Sequence, residues 1–152
     1  MDSIVINGGK ELKGSVLISG AKNAVLPMMA ASLLADGVTT ISNVPDLRDT
    51  RTMASLIEVT GAQVQLDYPE ISIDSSTVHT LEAPYELVKT MRASFYILGP
   101  LLGRFGKAKI SLPGGCAWGP RPVDFHLKAL KKMGASIRLR EGYVLAEAQR
   151  LK

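Results

Sequence analysis

The sequence predicts a mixed α/β (α+β) fold built from a repeated β-α-β-α-β-β unit. Two observations lead to this prediction. Short stretches with alternating apolar residues, typical of strands, are interleaved with longer stretches of helical periodicity. The same order then returns after about 70 residues, a period longer than that of solenoid repeats. Gly61-Ala62-Gln63-Val64 matches Gly134-Ala135-Ser136-Ile137, 73 residues later, and Gly37 matches Gly106, 69 residues later. The residues alone leave open whether the helices pack inside the strands or beside them.

The first repeat unit is predicted over residues 16–74, after a short strand over residues 4–6. It begins with a strand over residues 15–19, followed by a helix over residues 23–34 with Asn23 as N-cap and Pro27 near its first turn. A strand over residues 38–44 leads to a second helix, capped by Asp49 and ended by Gly61. The apolar stripe of that helix consists of Met53, Leu56, Ile57 and Thr60. A hairpin over residues 62–66 and 71–73 closes the unit.

The second unit is predicted over residues 78–147 and has the same order. It contains a strand over residues 78–81, a helix over residues 85–102 that is bent or interrupted near Gly99-Pro100, and a strand over residues 109–112. A helix over residues 123–133 follows and ends at Gly134. The last element is a hairpin over residues 135–139 and 143–145. On the first of these helices, Tyr85, Lys89, Arg92 and Tyr96 form one polar stripe.

A loop rich in glycine and proline joins the strand at residue 112 to the helix at residue 123. It carries Cys116, the one cysteine of the chain, and Arg121 just before the helix start. Free N–H groups at a helix N-terminus, together with a guanidinium, favour an anionic ligand. The alternative is that Cys116 is a small buried apolar residue, which is the usual setting of a lone cysteine.

Composition and charge narrow the class of protein further. At 152 residues one domain is expected, and a net charge of +4 allows polyanionic partners. Aromatic residues make up only 5%, and no stacking platform for bases is evident, which argues against nucleic acid. Cys116, His79 and His126 lack the spacing of metal ligands. The sequence shows neither a signal peptide nor an apolar span of membrane length, so the cytoplasm is the expected location.

Three motifs resemble the UDP-N-acetylglucosamine 1-carboxyvinyltransferase branch of the enolpyruvyl transferases. They are the turn Ser19-Gly20-Ala21-Lys22-Asn23-Ala24, the helix start Pro84-Tyr85-Glu86-Leu87-Val88-Lys89-Thr90-Met91-Arg92-Ala93-Ser94, and the loop from Pro113 to His126. The resemblance implies transfer of the enolpyruvyl group of phosphoenolpyruvate to the 3′-hydroxyl of UDP-N-acetylglucosamine with release of phosphate. We expect no cofactor and no metal.

The same resemblance implies a role for each matching residue. Cys116 would donate a proton, and Lys22 and Asn23 would bind phosphoenolpyruvate. The residues implied in binding UDP-N-acetylglucosamine are Arg92, Arg121, Pro122, Val123, Asp124 and Phe125. Each role has a plain structural alternative: Asn23 as a helix cap, Lys22 as a solvated lysine, and Asp124 as a first-turn acid. Trp118 and Phe125 depart from the residues common in the family.

The family fold is an inside-out α/β barrel with helices at the core and three units per domain. By this resemblance two of the three units are present, residues 1–20 link to a second domain, and residues 21–152 form an incomplete first domain. The general base would then lie outside this chain. We expect self-association through unpaired edges, or pairing with the missing C-terminal part. The alternatives are a 3-phosphoshikimate enolpyruvyl transferase and a non-catalytic UDP-sugar-binding fragment.

Overall fold

The computed structural model describes residues 3–89, 91–113 and 123–152. Helices and strands alternate through these ranges, as the sequence predicts. The elements up to the middle of the chain are α1 (Lys22–Ala31), a 3₁₀ turn (Ser32–Leu34), β1 (Val38–Ile41), α2 (Arg48–Val59), β2 (Gln63–Asp67) and β3 (Glu70–Asp74). The elements that follow are β4 (Glu82–Ala83), α3 (Tyr85–Val88), a 3₁₀ helix (Arg92–Ile97), α4 (Leu98–Phe105), β5 (Lys107–Ser111), α5 (Asp124–Lys132), β6 (Ser136–Arg140) and β7 (Tyr143–Glu147).

The strands form two sheets with the same internal order. The first sheet runs β1-β3-β2, and the second runs β4-β5-β7-β6, with β4 parallel to β5 and the other pairs antiparallel. The registers also match: Val38 pairs with Asp74 in the first sheet, and Lys107 pairs with Glu147 in the second. Equivalent residues are thus 69 and 73 positions apart, the offsets found in the sequence.

The core lies between the helices and one face of each sheet. Along β3 and β7 every second residue is buried, which is the pattern of strands with one face against a core. Helices α1, α2 and α4 each bury an apolar face. Helix α1 packs against α2, and α4 packs against β5 and against the 3₁₀ turn that follows α1. The predicted α2 stripe is confirmed, since Met53, Leu56, Ile57 and Thr60 have no exposed side-chain surface. The α/β fold class is confirmed.

The first two predicted strands are wrong. Residues 3–20 form neither helix nor strand, and their apolar side chains stand in solvent, with Ile4 89% and Leu17 98% exposed. An isolated strand leaves its backbone groups without ladder partners, and none of the described residues pairs with this segment as a strand. The predicted strand over residues 78–81 is displaced to Glu82–Ala83, where the backbone pairs with β5.

The continuous helix predicted over residues 85–102 is also wrong. The chain forms α3, the 3₁₀ helix and α4 instead, and the break lies around Met91 rather than at Gly99-Pro100. Met91 is extended, with φ −144° and ψ 124°, and its side chain is buried. Pro100 is tolerated in the first turn of α4, where its missing N–H has no helical partner to lose. The polar stripe from Tyr85 to Tyr96 is therefore not one helix face.

The predicted helix caps differ from those observed. Helix α1 starts at Lys22 after Ala21, and α2 starts at Arg48 after Leu47, so Asn23 and Asp49 are each the second residue of a helix. The capping bond of α2 comes from Thr50, whose Oγ1 accepts the Leu47 N–H at 3.1 Å. Pro27 lies beyond the first turn of α1.

The predicted helix ends and hairpins are confirmed. The chain turns at Gly61 and Gly134 with φ of +95° and +98°, a left-handed conformation that favours glycine. Strands β2 and β3 pair directly with each other, as do β6 and β7. The helix predicted over residues 123–133 is α5, and the strand predicted over residues 109–112 is β5.

Candidate active site

Residues from two distant motifs meet in one groove of about 380 Å³. Lys22 and Asn23 are the first two residues of α1, and Arg92 is the first residue of the 3₁₀ helix. Asp49, from the first turn of α2, lines the groove with them. The remaining lining residues are Leu26, Met91, Ala93 and Tyr96. The structure thus brings together three of the predicted site residues.

The turn before α1 depends on a close backbone approach. The Gly20 N–H donates to Asn43 Oδ1 at 3.2 Å, and a Cβ placed on residue 20 would lie 1.9 Å from the Asn43 carbonyl oxygen. Asn43 itself adopts φ +56°, a left-handed conformation that asparagine tolerates. Because only glycine fits at residue 20, this contact sets where α1 begins and where Lys22 and Asn23 stand.

Asp49 is the groove residue whose contact the sequence did not predict. Its Oδ2 lies 2.8 Å from Lys22 Nζ, and the two side chains are 34% and 44% exposed. The sequence indicated only an acid at a helix start, because 27 positions separate the two residues and no motif joins them. The ion pair exists because α1 packs on α2 with both N-termini at the same groove.

The groove suits an anion. Lys22 and Arg92 contribute two positive charges against the single carboxylate of Asp49. No ion pair or hydrogen bond is formed by the Arg92 side chain within residues 3–89, 91–113 and 123–152, and the residue is exposed. The first N–H groups of α1 lack a side-chain cap and add partial positive charge. A phosphate or carboxylate group would meet a guanidinium, an ammonium and a helix N-terminus here.

The described part of the third motif sits at the start of α5 and does not line this groove. Val123 is the N-cap residue, and its carbonyl accepts the Leu127 N–H at 3.2 Å. Asp124 accepts from Lys128 Nζ at 3.1 Å, and this hydrogen bond holds the pKa of the Asp124 carboxyl below its ordinary value of 3.8. Phe125 is 77% exposed. Asp124 thus acts here as a first-turn acid.

Tyr96 connects the groove with α5. It lines the groove and also a neighbouring hollow of about 180 Å³ that contains His126. The Tyr96 and His126 rings meet edge to face, with centroids 6.1 Å apart, and Phe95 lies 5.9 Å from the same histidine. The start of α5 therefore packs beside the 3₁₀ helix that carries Arg92.

Cys116, Arg121 and Pro122, together with Trp118, lie outside the described residues. The strand before them is held at its end, since the Leu112 N–H donates to the Gly142 carbonyl at 2.8 Å. Within the described ranges no group of three or more His, Cys, Asp or Glu side chains could hold a metal ion. No helix in those ranges combines the length and apolar character required to cross a bilayer.

The fold and the three sequence motifs together define the class of protein to which this chain belongs. Residues 6–152 match the family model of EPSP synthase (3-phosphoshikimate 1-carboxyvinyltransferase), and the chain belongs to this family of enolpyruvyl transferases. Within it, the chain is 56% identical over 99% of its length to the UDP-N-acetylglucosamine 1-carboxyvinyltransferases of Chloroherpeton thalassium and Trichlorobacter lovleyi. It spans 35% and 36% of those two proteins. The resemblance that the three motifs indicated is confirmed.

Solved structures agree with this assignment. The chain superposes on the enolpyruvyl transferase NikO from Streptomyces tendae with a TM-score of 0.79 and 30% identity, covering 95% of this chain and 32% of NikO. EPSP synthase from Acinetobacter baumannii shares the fold at a TM-score of 0.68 and 18% identity, covering 95% of this chain and 34% of that protein.

Proposed function

We propose that this chain contributes to transfer of the enolpyruvyl group of phosphoenolpyruvate to the 3′-hydroxyl of UDP-N-acetylglucosamine, the first committed step of peptidoglycan synthesis. The observation that carries the proposal is the common groove of Lys22, Asn23 and Arg92. The names of the relatives at 56% identity support the sugar-nucleotide acceptor over shikimate 3-phosphate. Both substrates of this reaction are anions, which matches the cationic groove.

The reaction is an addition followed by an elimination. In the addition, the hydroxyl oxygen of the sugar bonds to C2 of phosphoenolpyruvate, the methylene carbon C3 gains a proton, and the hydroxyl proton passes to a base. In the elimination, C3 loses a proton and the C2–O bond to phosphate breaks, which restores the double bond. Two anions must be held together throughout, so fixed cations lower the barrier by positioning and charge stabilisation.

Each predicted residue has a part in this scheme. The Lys22 ammonium and the Asn23 amide bind phosphoenolpyruvate at the α1 N-terminus, where unpaired N–H groups assist. Arg92 binds the sugar nucleotide, a task that a guanidinium performs through paired hydrogen bonds to phosphate oxygens. The remaining sugar-nucleotide ligands are Arg121, Pro122, Val123, Asp124 and Phe125.

Cys116 supplies the proton to C3 of phosphoenolpyruvate. A free thiol has a pKa of about 8.5 and therefore holds its proton at neutral pH. Nearby cations would lower that pKa, and the negative charge of bound phosphoenolpyruvate would offset them. The pH profile of activity should consequently shift to higher pH when phosphoenolpyruvate is saturating; identical profiles at low and saturating substrate would contradict this role.

The resemblance to the family implies that the general base and further cations come from polypeptide outside this chain, which spans 35% and 36% of two relatives. They could be supplied by the complementary part of the enzyme or by association with another molecule. The cytoplasm is the proposed location. Neither nucleic acid nor a membrane surface has a part in this proposal.

The test measures phosphate release from phosphoenolpyruvate in the presence of UDP-N-acetylglucosamine. The chain is assayed alone and mixed with the two thirds of the Chloroherpeton thalassium protein that it does not match. We expect release in the mixture, with a loss of at least about 100-fold in Cys116→Ala, as for removal of a general acid. Lys10→Ala, an exposed lysine outside the groove, is the control and should leave the rate unchanged.

Two further outcomes decide between the alternatives. Phosphate release that requires shikimate 3-phosphate in place of the sugar nucleotide would indicate a 3-phosphoshikimate enolpyruvyl transferase instead. Calorimetric binding of UDP-N-acetylglucosamine without release in the mixture would identify a non-catalytic binding fragment, and would contradict the proposed reaction.

A further inference from the structure

We infer that Asp49 is a positioning residue that holds the Lys22 ammonium in place for the phosphate group of phosphoenolpyruvate. The inference rests on the proposed function of this groove. Asp49 does not itself bind the anion, since its carboxylate carries the same sign of charge. It acts through Lys22.

The contact joins two helix starts across the groove. Lys22 opens α1, and Asp49 is the second residue of α2. Their charged atoms lie 2.8 Å apart, and both residues line the space that also contains Arg92. Among the described residues, Asp49 is the only acid that lines this groove.

Restricting the Lys22 side chain before the ligand arrives lowers the entropy cost of binding. A lysine side chain has four rotatable bonds, and fixing it on a ligand costs rotamer entropy. A carboxylate mounted on the rigid start of α2 restricts the ammonium before the ligand arrives, so less of that cost falls on binding. A ligand phosphate then meets an ammonium already at the groove wall.

A role of Asp49 through its charge alone and a role in positioning Lys22 predict opposite effects of Asp49→Asn on anion binding. Replacing Asp49 by asparagine raises the net charge of the groove by one unit, which would strengthen binding of any anion. If Asp49 positions Lys22, the same change weakens binding. The sign of the effect therefore separates a positioning role from a merely electrostatic one.

The chain offers a matched control at the same helix. Asp46 pairs with Arg51 through two contacts, at 2.8 and 2.6 Å, just before and within the first turn of α2. Neither residue lines the groove. Asp46→Asn thus removes an acid and an ion pair beside the start of α2 without touching Lys22.

The experiment is a double-mutant cycle measured by calorimetric titration with phosphoenolpyruvate, with each variant of the chain mixed with the two thirds of the Chloroherpeton thalassium protein that it does not match. The proteins are the unaltered chain, Asp49→Asn, Lys22→Ala, the double variant and Asp46→Asn, each checked for its thermal unfolding midpoint. We expect Asp49→Asn to weaken binding about threefold to fivefold, the range of a partly exposed ion pair. Lys22→Ala should weaken binding about tenfold or more. In the Lys22→Ala background Asp49→Asn should have no further effect, and Asp46→Asn should bind like the unaltered chain.

The outcomes distinguish the inference from the function on which it rests. Unchanged or tighter binding in Asp49→Asn, with binding still dependent on Lys22, would overturn the inference and leave the proposed function intact. Equal weakening by Asp49→Asn in both backgrounds would also overturn it, because the effect would not pass through Lys22. Binding that is independent of Lys22, or absent from the mixture that contains the unaltered chain, would overturn both.

Discussion

The backbones of Gly20 and Asn43 approach so closely that a methyl group on residue 20 would lie 1.9 Å from the Asn43 carbonyl oxygen. This contact joins the turn before α1 to the loop after β1. It places the α1 N-terminus, with Lys22 and Asn23, at the groove that α2 and the 3₁₀ helix complete. One glycine without any chemistry of its own thus determines the geometry of the candidate site.

Gly20→Ala should therefore disturb both stability and binding. We expect a loss of about 1–3 kcal/mol, typical of inserting a group into filled space, and weaker binding of phosphoenolpyruvate. In a chain of this size that loss corresponds to a fall in the unfolding midpoint of roughly 2–12 °C, measured by circular dichroism. Gly8→Ala is the control, since no atom lies within 4 Å of the Cβ it would add. Equal unfolding midpoints for the two variants would show that the turn before α1 accommodates the added methyl group without loss of stability.

Arg104 ties the two sheets together and supports a second prediction. It lies in α4, just before β5 of the second sheet. Its Nη1 donates to the Leu33 carbonyl at 3.2 Å, just before the first sheet in the chain, and to the Ser75 carbonyl at 2.9 Å, just after it. The side chain is only 16% exposed, and its Nη2 also pairs with Asp36. Arg104→Met should cost about 1–3 kcal/mol, because the carbonyls lose a charged donor in a largely buried place.

The control for Arg104 is its own exposed partner. Asp36 is 81% exposed, so Asp36→Asn should change the free energy of unfolding by less than about 1 kcal/mol. Urea denaturation of both variants measures the difference. A cost for Asp36→Asn equal to that for Arg104→Met would place the stabilisation in the ion pair rather than in the carbonyl contacts.

Arg92 should matter for binding and not for stability. It is exposed, and its side chain has neither an ion-pair nor a hydrogen-bond partner in the described ranges. Arg92→Ala should weaken binding of UDP-N-acetylglucosamine about tenfold or more, the effect of losing a charged hydrogen bond to phosphate, with an unchanged unfolding midpoint. Arg138→Ala, which removes an exposed arginine of β6 that pairs with Glu147 at 3.7 Å, is the control for charge. Similar weakening in both variants would indicate a general charge effect.

Asp74 gives a prediction about pH. The Ser76 backbone N–H and hydroxyl donate to its carboxylate at 3.0 and 2.7 Å, and these bonds hold the pKa of Asp74 below its ordinary value of 3.8. A carboxyl whose pKa is lowered by folding stabilises the fold above its unfolded pKa. That contribution is lost as the pH falls from 3.8 through the lower folded value.

The measurement compares the pH dependence of unfolding in the unaltered chain and in Asp74→Asn. The slope of the unfolding free energy against pH should be shallower in the variant at pH values below 3.8. Ser76→Ala removes the hydroxyl bond but keeps the N–H bond, so its slope should fall between the two. An unchanged slope in Asp74→Asn would mean that the two bonds persist in the unfolded chain or do not favour the charged carboxylate.

Local patterns in the sequence determined much of the fold. The match between Gly61-Ala62-Gln63-Val64 and Gly134-Ala135-Ser136-Ile137 predicted the duplicated order, and the two sheets share that order and register. Glycine at a helix end, alternation in a hairpin and the α2 stripe from Met53 to Thr60 are all set by residues close in sequence. The motifs at Lys22 and Arg92 likewise indicated the family through the identity and order of their residues alone.

Other features needed the tertiary structure, because they depend on contacts between distant residues. Burial of the Met91 side chain accompanies an extended backbone and splits a helix that periodicity alone would continue. Residues 3–20 have strand-like composition but no strand partner among the described residues. The Lys22–Asp49 ion pair and the shared groove with Arg92 arise only when α1, α2 and the 3₁₀ helix pack together. Sequence thus determined most of the elements and the candidate residues. Packing decided where the chain departs from local periodicity and which of the candidate residues meet.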